Sequence, residues 1–135
     1  MPFSGPLDDR LAITELTATY GHCISSRDMD RLLSLWAEDG RWFHPAYGWM
    51  EGHAEIRKTC SFALSRLSML FFIGSLGELT ITGDTAAGEF WPYEVAVRDG
   101  KTEILCGHYT DEYVNRDGRW LFKQRQYRLV HKAGT

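Results

Sequence analysis

His44 stands at the end of an apolar run and directly before a proline, in "RWFHPAYG". The residue before a proline is pushed toward an extended backbone, so Pro45 fixes where the imidazole is aimed. A neutral imidazole titrates near neutrality and can serve as a general base. It can equally be a half-exposed loop side chain packed on Trp42 or Tyr47. Tyr20 is the second candidate, on the apolar face of an N-terminal helix. Its hydroxyl needs a partner if buried, either a substrate oxygen or a backbone group of the core. Asp111 is the third, in "GHYTDEYVNRDG". Strand alternation places Tyr109, Asp111 and Tyr113 on one face and His108, Thr110, Glu112 and Val114 on the other. An acid flanked by tyrosines is unusual for a solvent face. It could donate a hydrogen bond or orient a histidine; turned outward, it would pair with Arg125 or Lys123. Arg128 shares its parity with Trp120 and Phe122 on the last strand. It could hold an anionic group or pair with Glu89.

Other chemistries lack their residues. His22, His53, His108 and His131 show no metal-ligand spacing such as H-x-x-x-H, so no metal is implied. Gly-rich phosphate loops and a G-x-S-x-G elbow are absent, and no cofactor is called for. Cys23, Cys60 and Cys106 are far apart and odd in number. They fit reduced thiols of a cytoplasmic protein better than disulfides or a zinc site.

The elements that must hold these groups follow from periodicity. Asp8 or Asp9 could cap a helix to about Ile24, with Ile13, Leu16, Tyr20 and Ile24 on one face. Asp28 is a good N-cap for a second helix, in which Met29, Leu32, Leu33 and Trp36 recur until Gly40. Arg41–Phe43 reads as a short strand, and residues 53–67 as a third helix with Ile56, Cys60, Ala63, Leu64 and Leu67 on one side. From residue 69 the period becomes two. Strands are predicted at about 69–82, 85–98, 102–115 and 119–131, parted by Gly83-Asp84, Asp99-Gly100 and Asp117-Gly118. Residues 1–7 read as a loose lead. Helices followed by an antiparallel meander give an α+β class in one domain, 1–135. A long curved sheet around helices makes a cone with an apolar mouth.

The 135 residues are 44% hydrophobic and 13% aromatic, with five tryptophans and seven phenylalanines. That exceeds what a small core needs, and an aromatic cavity or apolar interface would use the excess. Net charge is −3 without a basic stripe, which argues against nucleic acid. No apolar run reaches the roughly 18 residues of a membrane span. The N-terminus does not read as a secretory signal, so a cytoplasmic location is expected. Glu89, Trp91 and Tyr93 share one strand face and could line a pocket or a subunit interface. With Trp120, these aromatics predict self-association.

The stretches "AITELTATYGHCISSRDMDRLLSLWAEDGRW", "GHAEI", "ITGDTAAGEF" and "YTDEYVNRDGRWLFKQR" resemble the SnoaL-like branch of the nuclear-transport-factor-2-like superfamily. The resemblance spans nearly the whole chain and implies a cone-shaped fold of three helices on a curved antiparallel sheet, assembled as a homodimer or homotrimer. It is weak for reaction, because this fold hosts many activities and also non-catalytic binding modules. Against ketosteroid isomerase, the oxyanion tyrosine matches Tyr20 and the general-base aspartate matches His44-Pro45. The second oxyanion donor, a protonated aspartate, falls on or near Asp111. Bile-acid 7α-dehydratase is similar around Tyr20, Tyr109 to Tyr113 and Arg128. However, its catalytic aspartate falls on Ser25, and its histidine, shared with scytalone dehydratase, falls at Phe71 or Phe72. That pair is missing here. The Asp-Arg-Asp set of limonene epoxide hydrolase is not evident either.

The expected function is therefore a cofactor-free acid–base enzyme, a dehydratase-like lyase or an isomerase, acting on a small apolar ring compound with a carbonyl or phenol. His44 is the expected base, with Tyr20 and Asp111 holding the oxyanion. Trp42, Tyr47, Trp49, Phe72, Trp91, Tyr109, Tyr113 and Arg128 are the expected lining. The alternatives are a ligand-binding or assembly module, and a hydrolase with a His-activated water.

Overall fold

The computed structural model describes residues 1–134. Helix α1 spans Leu7–Ser26, α2 Met29–Ser34 and α3 Gly52–Ser65. The strands are β1 Phe3–Ser4, β2 Trp36–His44, β3 Gly48–Glu51, β4 Met69–Thr82, β5 Thr85–Arg98, β6 Lys101–Arg116 and β7 Arg119–Gly134. They form one sheet in the order β1-β4-β5-β6-β7-β2-β3. The architecture is α+β, with three helices on a curved, unclosed sheet, as the sequence led us to expect.

The meander forms where its turn residues allow. Asp99 and Gly100 have φ of 51° and 75°, and Asp117 and Gly118 have 55° and 80°. Left-handed pairs of this kind match the twist of a tight hairpin. Strands of 14 to 16 residues are far longer than usual, and their accumulated twist curls the sheet. Bulges at Gly77, Lys123 and Val130 sharpen the curl. The concave face closes over α1, whose Ile13, Leu16, Tyr20 and Ile24 are all buried. A Cβ on Gly21 would lie 2.9 Å from the Phe72 ring, so glycine lets α1 press on β4.

Four local expectations need correction. Helix α1 is entered through Pro6, not capped by an aspartate; Asp8 and Asp9 sit in its first turn, where the helix dipole favours them. Asp9 also accepts a hydrogen bond from Trp120 Nε1 at 2.9 Å, so Trp120 is buried rather than on an outer face. Helix α2 is capped by Asp28 but stops at Ser34, and Trp36 opens β2. Trp36 satisfies helical spacing from Leu32 and is buried either way, so periodicity did not separate the two states. The lead is partly ordered: Phe3 and Ser4 pair in parallel with Leu79 and Thr80 and cover the sheet edge.

A buried ion pair sits at the centre of the concave face. Arg125 donates to Asp111 through Nε at 2.8 Å and Nη2 at 3.0 Å, and both side chains are fully buried. Tyr113 donates to the same carboxylate at 2.9 Å. The rings of Tyr20, Phe90, Tyr109 and Phe122 surround the guanidinium, with centroids 3.9 to 5.1 Å from its carbon. Burial works against the charge, and Asp111 outweighs it, holding Arg125 protonated above its ordinary range. Removing the acid strands a buried cation. Asp111→Ala is therefore expected to cost about 3–5 kcal/mol, read as a lowered urea midpoint at unchanged slope.

Candidate active site

A cavity of about 540 Å³ lies between the helices and the concave face, a size suited to a small organic ligand. Helix α1 contributes Tyr20 and Ile24, and α3 contributes Cys60, Ala63 and Leu64. The end of β2 and its turn supply Trp42, His44 and Tyr47. The long strands add Leu70, Phe72, Glu94, Leu105, Tyr109, Tyr127 and Leu129, with Arg98, Glu103 and Lys132 as charged members.

His44 is half-buried on the cavity wall. Its ring stacks on Tyr127 at 5.1 Å and 10°, meets Trp42 edge-on and lies tilted at 44° to Tyr47. Burial lowers its pKa, so it is a neutral imidazole at pH 7. Nδ1 accepts from the Ala46 amide at 3.1 Å. That bond puts the ring proton on Nε2, which makes Nε2 a donor.

Tyr20 and Tyr109 stand at the inner end, next to Arg125. Burial raises both phenols and Arg125 opposes the rise. Both stay protonated at neutral pH and can donate. Tyr127 is held by a close backbone approach. A Cβ on Gly107 would collide with its ring and lie 2.6 Å from its hydroxyl. Glycine is required there because the ring occupies the space of a side chain. The Tyr127 hydroxyl donates to Glu94 Oε2 at 3.4 Å.

Glu94 is the functional candidate that sequence reasoning missed. Burial pushes its carboxyl up to about 7, with the Tyr127 hydrogen bond pulling back. Its signal was available, since Glu94 shares parity with Phe90 and Ala96, opposite to Trp91 and Tyr93. The Cys60 thiol also lines the cavity, but burial pushes it up to about 12, so it is no nucleophile at neutral pH.

The structure divides the expected site residues. His44, Tyr20, Trp42, Tyr47, Phe72 and Tyr109 line the cavity; Asp111, Trp49, Trp91, Tyr113 and Arg128 do not. Asp111 and Tyr113 face inward as alternation requires, but their polar atoms are committed to Arg125 and to each other. Trp49 is 39% exposed and stacks under Arg41. Trp91 is 47% exposed on the convex face. It covers the buried His108, which is bonded to Glu89 at 2.8 Å and to Arg128 at 3.2 Å. Arg128 is turned outward because the Lys123 bulge shifts parity along β7. Arg125 takes the inward place.

Among the described residues, no cluster of three or more His, Cys, Asp or Glu could hold a metal ion. No helix among them is long and apolar enough to cross a membrane.

A family model for the SnoaL-like domain matches residues 5–126. The chain belongs to the SnoaL-like domain family. No curated protein matches it. Among solved structures, the cone is similar to hexachlorocyclohexane dehydrochlorinase LinA type 2, with TM-score 0.89 and 22% identity over 96% of this chain and 90% of that one. The type 3 LinA of Novosphingobium barchaimii gives 0.87 and 23%, covering 96% and 91%. A candidate scytalone dehydratase from Novosphingobium aromaticivorans gives 0.83 and 20%, covering 94% and 87%. At these identities the likeness carries the fold alone. In this SnoaL-like chain, Ser25 and Phe72 meet in space: the Ser25 hydroxyl accepts from the Phe72 amide at 2.9 Å.

Two measurements follow from the geometry. The folded Glu94 carboxyl titrates above its unfolded value of 4.5. Its favourable contribution is intact below that value and is lost as pH rises to about 7. Glu94→Gln should therefore gain urea stability relative to the wild type between about pH 5 and about pH 8. Gly107→Ala should lose about 1–3 kcal/mol by overpacking against Tyr127, measured in the same way.

Proposed function

We propose that this SnoaL-like chain is a cofactor-free acid–base enzyme that removes a proton from a small apolar ring compound bearing a carbonyl or phenol. One observation carries the reading: a carboxyl on the wall of an apolar cavity is bonded to a tyrosine that stacks on a neutral imidazole. Near pH 7 such a carboxyl exists in both protonation states, as an acid–base catalyst requires. Glu94 takes the proton from a carbon next to the activated ring position. The C–H electron pair moves toward the substrate oxygen. His44 Nε2–H, with the Tyr20 or Tyr109 hydroxyl, holds the charge that develops there, each donor being worth a few kcal/mol in a water-poor site. In elimination, the electron pair expels a leaving group, which receives the proton. In isomerisation, Glu94 returns the proton to another carbon.

The sequence pointed to His44 as the base. The Nδ1 bond to Ala46 supports the donor role instead. His44→Gln separates the two, because glutamine keeps an N–H and lacks the basic nitrogen. The test is turnover of a panel of ring ketones and phenols, followed by product mass. Glu94→Gln is expected to reduce kcat by about 10²–10⁴. In the wild type, kcat/KM should rise with pH through about 7, where the Glu94 carboxylate forms. Full activity in Glu94→Gln would refute the proposal, and a mass gain of one water would indicate hydrolysis.

Ser25 and Phe72 favour a second reading, a binding module. Ser25 stands where the resemblance places the dehydratase acid, and Phe71 or Phe72 where it places the histidine, and none of these transfers a proton. That reading expects pH-independent ligand affinity and no turnover.

A further inference from the structure

The cavity is apolar inside and charged at one end, and the charge is not balanced there. Arg98, Glu103 and Lys132 are its charged lining residues besides Glu94. Lys132 and Glu103 pair with each other at 3.5 Å. Arg98 has no side-chain partner among the described residues. Directly across the hairpin, Lys101 pairs with Arg98 in register and adds a second exposed cation. The acids near this end are Glu103 and, in the turn, Asp99. Cations therefore outnumber acids at the mouth of a chain whose net charge is −3.

Strand geometry fixes the distance from this end to the inner groups. Glu94, Ala96 and Arg98 lie on one face of β5, and four residues of strand span roughly 13 Å. Leu70, Leu105 and Leu129 fill the wall in the same region. The ligand best matched to that wall has a ring body a little under this length, with an anion at the end away from Glu94. Guanidinium presents paired donors to planar or tetrahedral oxyanions.

We propose that the mouth is an anion subsite. The cavity takes an amphiphile whose apolar ring body lies along β5 and whose carboxylate- or sulfonate-type group rests on Arg98, with Lys101 beside it. The proposal rests on the cavity being the ligand site, and not on the proton chemistry assigned to Glu94.

The test uses two fluorescent probes of one skeleton: 8-anilinonaphthalene-1-sulfonate, which is anionic, and N-phenyl-1-naphthylamine, which lacks the sulfonate. Affinities are measured for the wild type, Arg98→Gln and Arg98→Gln/Lys101→Gln, with circular dichroism as the folding control. The two probes should displace each other. In Arg98→Gln, the anionic probe should weaken about three- to fivefold, the scale of one exposed ion pair, while the neutral probe is unchanged. Added salt should shrink the difference. An unchanged ratio in the double variant would overturn the subsite, as would failure of the probes to compete. Loss of turnover in Glu94→Gln leaves the probe result untouched, so the two proposals fail separately.

Discussion

A charge buried among rings organises this molecule. Arg125 lies with no exposure at the centre of the concave face, between Asp111 and four aromatic side chains. A solitary guanidinium there would be prohibitively costly, and one bidentate pair of hydrogen bonds to Asp111 makes it tolerable. The arrangement ties β6 to β7 and gives Tyr20 of α1 a cationic face to pack on. The helix, two strands and the inner cavity wall thus depend on one ion pair. Aromatic faces carry negative charge density, so they solvate the cation where water cannot. The surplus of aromatic residues in the composition is partly accounted for here.

The cavity inherits its chemistry from that arrangement. Arg125 opposes the burial-driven rise of the Tyr20 and Tyr109 phenols, favouring them as donors. Farther out, Gly107 seats Tyr127, Tyr127 bonds Glu94, and the Tyr127 ring supports His44. Each contact restrains a group that a ligand would meet. Preorganisation of this kind is what makes donors effective, since little rearrangement remains once a ligand is bound.

Much of the fold was legible in the sequence. Period-two alternation and the Asp-Gly turns located the four long strands to within a few residues, because turn chemistry and burial there agree. The helix faces were legible for the same reason. The side of β7 was not. Lys123 and Val130 are bulge residues, and nothing in their types marks them as unpaired, so parity counted from Trp120 pointed to Arg128 where the inward arginine is Arg125. Arg125 was an expected partner of Asp111 only if the acid faced outward; the pair forms on the inward face instead, and a committed carboxylate looks like a free one in sequence. Glu94 was hidden by its more conspicuous neighbours, Trp91 and Tyr93, which face the other way.

The hairpin joining β5 to β6 separates what can vary from what cannot. Its backbone is set by Asp99 and Gly100, whose left-handed conformations need no tertiary partner. Arg98 and Lys101 flank that turn in exposed positions, far from Arg125. Changes at the tip meet little structural resistance, whereas changes around Asp111 disturb several elements at once. A lineage built on this scaffold can therefore alter the rim while conserving the interior. Diversity within such a fold should concentrate at the rim.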